Sequence, residues 1–452
     1  MPRNGNWPDI APLIDDRLDD GVFRIDRDVY LAPELYQAEI EAIFESGWLY
    51  LCHESQVAKP GDFFATHMGR QPVVVVRGKD GRIDAFINAC SHRGAVLAPV
   101  KQGHVTVFTC RFHGWSYATD GKCIKVKSED TGYDGPLDRS TYDLKRPPKL
   151  EIYRGFVFAS LNPESGPLIG HLGEARPFID LYADMSPDGL EILPGSQTYI
   201  CEHNWKIQAE NVTDGYHVGT VHRNFASTVL HREERDRTEG LLKTETGRIQ
   251  GNVRNGCYDL GGGHIALWAD RASPEVAPLY PATAEVERRV SKARADWMLR
   301  RGRNLLVFPN LVLNDLASTH LRTHRPLAAD KTEVTIYCIA PRNEARDARA
   351  ARLRKFEDFF LVTGMATSDD IVSLDTSHAG MRARTARWTE LHRGMGLMVK
   401  GPDEAARTLG IEPAISGTAW DQDAPYIGFF RHWRDVLIAA GDRHASAKIA
   451  AE

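Results

Sequence analysis

Residues 90–115, CSHRGAVLAPVKQGHVTVFTCRFHGW, contain a Cys-x-His pair followed by a Cys-x-x-His pair. The chain has only seven cysteines, and two of them stand beside a histidine in this one short window. Two buried thiols and two unrelated surface histidines explain such a coincidence poorly. The pattern therefore indicates a metal site.

The order of the four residues discriminates between metals. A zinc finger with two cysteines and two histidines places both cysteines first and folds as a small separate module. Here the order is Cys90, His92, Cys110 and His113. In a Rieske 2Fe-2S centre two thiolates hold one iron and two imidazoles hold the other, so each pair can supply one ligand to each iron. The sequence predicts a Rieske cluster, with zinc as the alternative.

The residues around these pairs have the pattern of β-hairpins. QPVVVVRGKDGRIDAFINAC (71–90) reads as two strands joined at Asp80-Gly81, and residues 104–126 repeat the pattern with Asp120-Gly121 at the turn. YRGFVFASL (153–161) is a further strand, after a polar loop rich in proline and glycine. The sequence predicts an all-β domain in which two loops converge on one cluster.

A second group of potential ligands lies in AENVTDGYHVGTVH (209–222). Residues 204–222 read as helical, and Asp214 and His217 then share a helix face. His217 and His222 do not, because five residues of an ideal helix turn by roughly 140°. Both imidazoles can reach one ion only if the helix bends between them, and Gly219 is the expected place.

The third ligand is expected from FFLVTGMATSDDIVSLD (359–375), where an acidic pair interrupts apolar and small residues. Two histidines and one carboxylate form the usual ligand set of a mononuclear non-haem iron and leave positions open for oxygen. Asp370 is preferred because it begins the Ile/Val/Leu pattern that follows, and Asp369 remains the alternative.

The whole chain limits the class of protein. Its 452 residues suggest two domains, and 42% hydrophobic with 26% charged residues is typical of globular proteins. A net charge of −5 without a basic stretch argues against nucleic acid as a partner. We expect no signal peptide and no membrane span. Seven scattered cysteines form no disulfide framework, which favours the cytoplasm.

The remaining elements are expected to be mixed helix and strand. Residues 33–47 predict one amphipathic helix, and 331–341 predict a strand. Residues 351–360 predict a helix with a solvated basic face, whereas 231–240 read as a solvated loop. Since helix and strand alternate irregularly after residue 165, the fold class is predicted to be α+β.

Over nearly its whole length the sequence resembles a known family, the large (α) subunits of Rieske non-haem iron ring-hydroxylating oxygenases. The resemblance rests on INACSHRGA, FTCRFHGW, ENVTDGYHV and FEDFFLVTGMATSDD. Within the family, GRQPVVVVRGKDG, SPDGLEILPGSQTY, ARADWMLRRGRNL and KTEVTIYCIAP are most similar to the benzoate, toluate and anthranilate dioxygenase branch. ENVTDGYHVGTVHRNF departs from a typical benzoate enzyme around the iron, which leaves the exact substrate open.

The resemblance implies three segments. Residues 1–48 would be an N-terminal helical segment that packs with the catalytic domain, and 49–165 the all-β Rieske domain. Residues 166–452 would be a larger catalytic domain of helices on an antiparallel sheet.

The resemblance also implies the ligands and their roles. Cys90, His92, Cys110 and His113 would bind the cluster, whereas His217, His222 and Asp370 would bind one Fe(II) per chain. Asp214 would bridge His217 and a cluster histidine of a neighbouring subunit by hydrogen bonds. Asn211 is placed with Asp214 among the catalytic residues. Apart from the resemblance, closeness to the ligands predicts that Asn211, Val212, Val218, Phe360 and Ala366 line the substrate pocket; Asn310 and Leu313 are expected there as well.

The implied reaction adds both atoms of O2 to an aromatic carboxylic acid and gives a cis-dihydrodiol. NADH would supply electrons only indirectly, through a separate flavin and iron–sulfur reductase, because the chain has no dinucleotide fingerprint. A small β subunit and an α3 or α3β3 assembly are expected. The alternatives are a monooxygenase or demethylase on the same scaffold, an aniline-type dioxygenase, and a Rieske electron carrier without catalysis, which leaves the second ligand group unexplained.

Overall fold

The computed structural model describes residues 7–236 and 253–449. These residues form two compact units. One unit is Ile40–Gly170, and the other combines the described residues up to Glu39 with those from His171 onward. The boundaries were expected at 48/49 and 165/166. In the structure, residues 40–48 and 166–170 also belong to the unit Ile40–Gly170.

The N-terminal segment was expected to be helical, but it also contains strands. Strands β1 (Ile14–Arg17) and β2 (Val22–Asp26) form an antiparallel hairpin before two short helices, α1 (Asp28–Leu31) and α2 (Pro33–Glu39). The alternation of apolar and polar residues in Val22–Asp26 fits a half-buried strand, and Phe23 and Ile25 are fully buried. Residues 33–47 also differ from one regular α-helix, since Ile40–Phe44 form a π-helical turn after α2.

The unit Ile40–Gly170 is rich in β-structure, as predicted. Its strands are β3 (Leu49–His53), β4 (Asp62–Met68), β5 (Gln71–Arg77), β6 (Ile83–Ile87), β7 (Gln102–His104), β8 (Val107–Thr109), β9 (Ser116–Ala118), β10 (Cys123–Lys125), β11 (Lys149–Tyr153) and β12 (Phe156–Ser160). They form antiparallel sheets in the orders β6-β5-β4-β7, β10-β9-β8 and β11-β12-β3. A short helix, α3 (Glu129–Gly132), lies in the polar loop.

Both predicted turns of this unit are present. Gly81 and Gly121 have φ angles of 83° and 86°, which favour glycine. A Cβ atom on Gly121 would also lie 2.2 Å from the ring of Phe86. Phe86 packs with Val74 and Val76 in the buried core of the unit. The valine run of β5 therefore stabilises the frame from which the metal-binding loops project.

The other unit is built on a large antiparallel sheet. Its strands are β13 (Leu190–Ile192), β14 (Gln197–Cys201), β15 (Asn255–Asp259), β16 (Ile265–Asp270), β17 (Arg301–Val307), β18 (Leu311–Asn314), β19 (His320–Ala328), β20 (Lys331–Pro341), β22 (Val399–Lys400) and β23 (Ile415–Gly417); β21 (Trp388–Glu390) pairs with β2 instead. The sheet order is β13-β20-β19-β18-β17-β16-β15-β23-β22, and β14 also pairs with β20. The predicted strand 331–341 coincides with β20.

Helices accompany this sheet, so the predicted α+β class is confirmed. They are α4 (Leu168–Leu172), which begins before the unit boundary, α5 (Arg176–Ala183), α6 (Trp205–Asn211), α7 (Val218–Val221), α8 (Arg223–Asp236), α9 (Thr283–Arg289), α10 (Lys292–Leu299), α11 (Arg346–Phe359), α12 (Thr367–Met381), α13 (Glu404–Leu409) and α14 (Ala424–Ile449). Short 3-10 turns occur at Ala11–Leu13, Leu18–Asp20, Glu54–Val57, Arg139–Tyr142, Gly173–Ala175, Pro274–Val276, Tyr280–Ala282 and Met395–Leu397. In the part of the chain that the structure describes, none of the helices is both long and apolar enough to span a bilayer.

The predictions for residues 351–360 and 231–240 were each wrong in part. Residues 351–360 do lie largely in α11, but Arg352 is buried and forms an ion pair with Glu344 rather than belonging to a solvated face. Residues 231–236 of the predicted loop continue α8. The remainder of that prediction, 237–240, lies outside the described residues.

Candidate functional site

The two cysteine–histidine loops have the same backbone conformation. The N–H of Gly94 donates to the carbonyl of Cys90 at 2.9 Å, and the N–H of Gly114 donates to that of Cys110 at 2.9 Å. Both glycines adopt left-handed conformations, with φ angles of 72° and 76°. The two loops therefore share one type of turn, although the histidine stands two residues after Cys90 in the first and three residues after Cys110 in the second.

In each loop the thiol is buried and the imidazole lies nearer the surface. Cys90 and Cys110 are 3% and 2% exposed, whereas His92 is exposed and His113 half-buried. The two imidazole rings lie 4.7 Å apart, centre to centre. His113 Nδ1 is buried without a hydrogen-bond partner among the described residues. An unpaired imidazole nitrogen beside a second imidazole, with both loop thiols buried in one core cluster, fits a cluster with one thiolate-bound and one imidazole-bound iron.

Two aromatic residues that the sequence did not single out support these loops. The Trp115 ring stacks on His92 at 4.9 Å with an interplanar angle of 6°. The hydroxyl of Tyr117 lies 3.2 Å from Cys90 Sγ and accepts the N–H of Ser91. Burial raises the pKa of Tyr117, so the hydroxyl stays protonated and can donate to the sulfur. Hydrogen bonds to sulfur are one of the factors that set the reduction potential of such a cluster.

The other predicted ligands also come together. His217 Nε2 lies 3.1 Å from His222 Nε2, and both nitrogens lie close to Asp370 Oδ1, at 3.4 and 3.2 Å. Of the described residues, these three form the group whose ligand atoms are close enough to hold one ion. Among the described residues, His222 Nδ1 is buried without a hydrogen-bond partner, whereas His217 Nδ1 makes an ion-pair contact with Asp214 but no well-aligned hydrogen bond. Three donors that converge on one point fit a mononuclear non-haem iron.

The protonation states of this trio depend on burial and on one another. Burial disfavours the charged forms, but the two imidazoles hold the pKa of Asp370 well below its usual range. Conversely, Asp214 and Asp370 outweigh burial and raise the pKa of His217 to about 10. The carboxylate is thus already ionised, as a ligand must be, while metal binding at His217 requires release of a proton.

Local backbone breaks, rather than one bent helix, bring the histidines together. Helix α6 ends at Asn211, a turn follows, and His217 and His222 stand immediately before and after the single turn of α7. The predicted helix over 204–222 is therefore interrupted. Gly219 lies inside α7 and is not the bend that was expected. Asp370 occupies the first turn of α12.

The choice between the two adjacent aspartates follows from this geometry. Asp370 is 8% exposed and faces both imidazoles. Asp369 is less buried and lines a separate surface depression with Val372 and Ser373. Asp370 is therefore the acid that the structure places beside the histidines.

Asp214 contacts His217, but not across a helix face as expected. Asp214 Oδ1 accepts the backbone N–H groups of Tyr216 at 2.8 Å and His217 at 3.2 Å, which fixes a turn before α7. Its other oxygen, Oδ2, lies 3.3 Å from His217 Nδ1. Burial would raise the pKa of Asp214, but His217 and the backbone donors lower it below its usual value. The side chain keeps 35% of its surface exposed.

A cavity of about 380 Å³ opens beside the trio. Of the expected pocket residues, Val212, Val218 and Phe360 line it, as does Asn211, whose Nδ2 lies 3.5 Å from Asp370 Oδ1. Further lining residues that the sequence did not suggest are Phe225, Val229, Leu267, Asn304, Asn314, Leu316, Arg322 and Phe359. Apolar atoms form most of the lining surface, although about half of the lining residues are polar or charged.

Three expected pocket residues, Asn310, Leu313 and Ala366, do not line the cavity. Leu313 precedes Asn314 on β18, and since successive side chains of a strand point to opposite faces, Asn314 faces the cavity instead. Asn310 is buried in the turn between β17 and β18. Ala366 is fully buried at the N-cap of α12. Ala366 shows that closeness in sequence to a ligand, here Asp370, does not ensure a place on the cavity wall.

Comparisons with known proteins agree with this geometry. Residues 47–146 match the Rieske 2Fe-2S domain, and residues 184–437 match the catalytic domain of the ring-hydroxylating alpha subunits. These matches confirm the prediction of one Rieske cluster and one mononuclear iron per chain.

Whole chains are similar as well. The large subunit of 2-halobenzoate 1,2-dioxygenase from Burkholderia cepacia is 42% identical, with 92% of this chain and 90% of that chain covered. Toluate 1,2-dioxygenase subunit alpha from Pseudomonas putida is 40% identical, with 98% and 97% covered. A solved naphthalene 1,2-dioxygenase with indole in its active site superimposes with a TM-score of 0.80 at 26% identity, over 98% of both chains. The chain therefore belongs to the α subunits of the Rieske non-haem iron ring-hydroxylating dioxygenases, which are oxidoreductases.

Proposed function

We propose that this chain adds both atoms of O2 to adjacent ring carbons of a benzoate-like aromatic acid. The product is a cis-dihydrodiol. One NADH and one proton supply the two electrons and two hydrogens that balance the reaction, through a separate flavin and iron–sulfur reductase. The relatives named for 2-halobenzoate and toluate support the aromatic acid as substrate.

The observation that carries this proposal is the position of His217, His222 and Asp370 on the wall of a largely apolar cavity. Iron held by such a set keeps open positions for O2, and a Rieske cluster supplies electrons singly. Phe225, Phe359 and the other apolar walls exclude water and hold the aromatic ring against the metal site.

We assign the ligands as the geometry suggests. Cys90, His92, Cys110 and His113 hold the cluster. His217, His222 and Asp370 hold the mononuclear iron, and Asn211 donates to the carboxylate of Asp370. Orientation of metal ligands by such hydrogen bonds typically changes metal affinity or activity by about 10–100-fold.

We further propose an α3 or α3β3 assembly in the cytoplasm, with a small β subunit. The names of the relatives support a multisubunit enzyme, since they are called the large subunit and subunit alpha. The oxygenase would receive its electrons only when the reductase docks on this assembly.

Product analysis under labelled oxygen tests the reaction. We expect the purified oxygenase, with NADH, a flavin and iron–sulfur reductase and benzoate, to give a dihydrodiol that contains both atoms of one ¹⁸O2. A mixture without the reductase should give no product. A product with one labelled oxygen, or a dealkylated product from a methoxy- or methylamino-benzoate, would instead identify a monooxygenase or demethylase.

A further inference from the structure

Arg322 is an unusual residue of the cavity wall. It lies on β19, lines the cavity and is only 5% exposed. Its Nε is buried without a hydrogen-bond partner, and no carboxylate among the described residues forms an ion pair with it. A buried charge without a counterion is strongly unfavourable. The guanidinium of Arg322 therefore requires an anionic partner, and the described residues do not supply one.

The other buried arginines show what such a partner normally is. In the described residues, each of the other four contacts a carboxylate. Arg271 and Arg303 share Asp315, Arg301 contacts Asp270, and Arg352 contacts Glu344. Among the buried arginines of the described ranges, Arg322 is thus the one that has no acid beside it.

The two other arginines that line the cavity are already paired. Arg232 and Arg354 both contact Asp358, at 3.6 and 3.1 Å. Their side chains are also 39% and 48% exposed, so water solvates their charges. An incoming anion would gain less from either of them than from Arg322, where water is excluded.

Aromatic rings connect Arg322 to the metal site. Its guanidinium carbon lies 5.6 Å from the centre of the Phe360 ring, and Phe360 lies 4.4 Å from Phe359. The Phe359 ring in turn lies 5.3 Å from that of His222. A flat ligand lying along these rings can have an anionic group at one end and ring carbons near the metal ligands at the other.

We propose that Arg322 binds the carboxylate of the aromatic substrate and thereby selects acids over neutral arenes. The proposal rests on the proposed function and adds the residue that reads the acid group. A planar guanidinium offers two parallel N–H donors that match the two oxygens of a carboxylate. The substrate would then supply the missing counterion and place its ring against Phe359 and Phe360.

Binding of benzoate and of its neutral analogue benzamide tests this role without any turnover. Isothermal titration of the metal-loaded oxygenase should show that Arg322→Met raises the dissociation constant of benzoate by at least about 30-fold. The dissociation constant of benzamide should change by less than about 3-fold, because only the charge pair is lost. The matched control is Arg354→Met, which should leave both constants within about 3-fold of wild type, since Arg354 is exposed and paired with Asp358.

Arg322→Lys is the second variant, in case the methionine variant does not fold with its cluster spectrum intact. It keeps the charge but loses the planar fork, so benzoate should bind about 10-fold more weakly while benzamide is unaffected. Wild-type affinity for benzoate in a folded Arg322 variant, or an equal loss of affinity in Arg354→Met, would overturn the role of Arg322 but not the proposed substrate class. A wild-type protein that binds benzamide but no aromatic acid would overturn both the proposed substrate class and the assignment.

Discussion

Replacing Asp370 with alanine is expected to empty the mononuclear iron site and abolish product formation, while the visible spectrum of the cluster stays unchanged. Asp370 supplies the one carboxylate oxygen that lies 3.2 and 3.4 Å from the two imidazole nitrogens. Loss of a residue that merely orients a ligand costs about 10–100-fold, so loss of the ligand itself should cost more. Iron analysis and product formation measure the two effects separately.

Asp369→Ala is the matched control for this prediction, because the neighbouring acid lines a separate surface depression and is not part of the ligand trio. It should retain the iron and most of the activity. If Asp369→Ala empties the site and Asp370→Ala does not, the choice within the pair is wrong. If neither variant loses iron, the carboxylate comes from elsewhere and the assignment of the trio fails.

Asp214→Asn is expected to retain both metals and to lose most of its turnover. The structure shows Asp214 Oδ2 at 3.3 Å from His217 Nδ1, in a side chain that remains partly exposed. We propose that the same carboxylate bridges to His113 of a neighbouring subunit, as the family resemblance implies. Asparagine has nearly the same size as aspartate but no charge, so the contact with His217 weakens. Turnover should therefore fall by about 10–100-fold.

The measurement for this prediction follows the cluster directly. After chemical reduction of the cluster, substrate and oxygen are added, and its visible absorbance reports reoxidation while product is quantified. Asp369→Asn serves as the charge-matched control and should behave as wild type. An Asp214→Asn protein with both metals loaded that reoxidises and forms product at the wild-type rate would refute the bridging role.

Local patterns in the sequence predicted the local parts of this molecule. The hairpin glycines and strand β20 depend on short-range preferences, and both appear where expected. The two ligand groups were also recognisable, because metal coordination restricts residue type and spacing more than folding does. The break after Asn211 was missed, since Asp214 competes for the backbone N–H groups of Tyr216 and His217 and replaces helical hydrogen bonds with a turn.

The cavity could not be predicted in the same way. Its wall combines side chains from β17, β18 and β19 with others from α8 and α11, which lie far apart in the sequence. Strand register decides whether Leu313 or Asn314 faces the cavity, and only tertiary packing sets that register. Arg322 likewise resembles any other arginine until the positions of all surrounding acids are known.

Metal and sulfide analysis of the purified wild-type protein, combined with electron paramagnetic resonance after reduction, tests both metal sites at once. We predict about three iron atoms and about two acid-labile sulfides per chain, no zinc, and the low-g rhombic signal of a cluster with two imidazole ligands. A colourless protein that contains zinc and no labile sulfide would contradict this prediction.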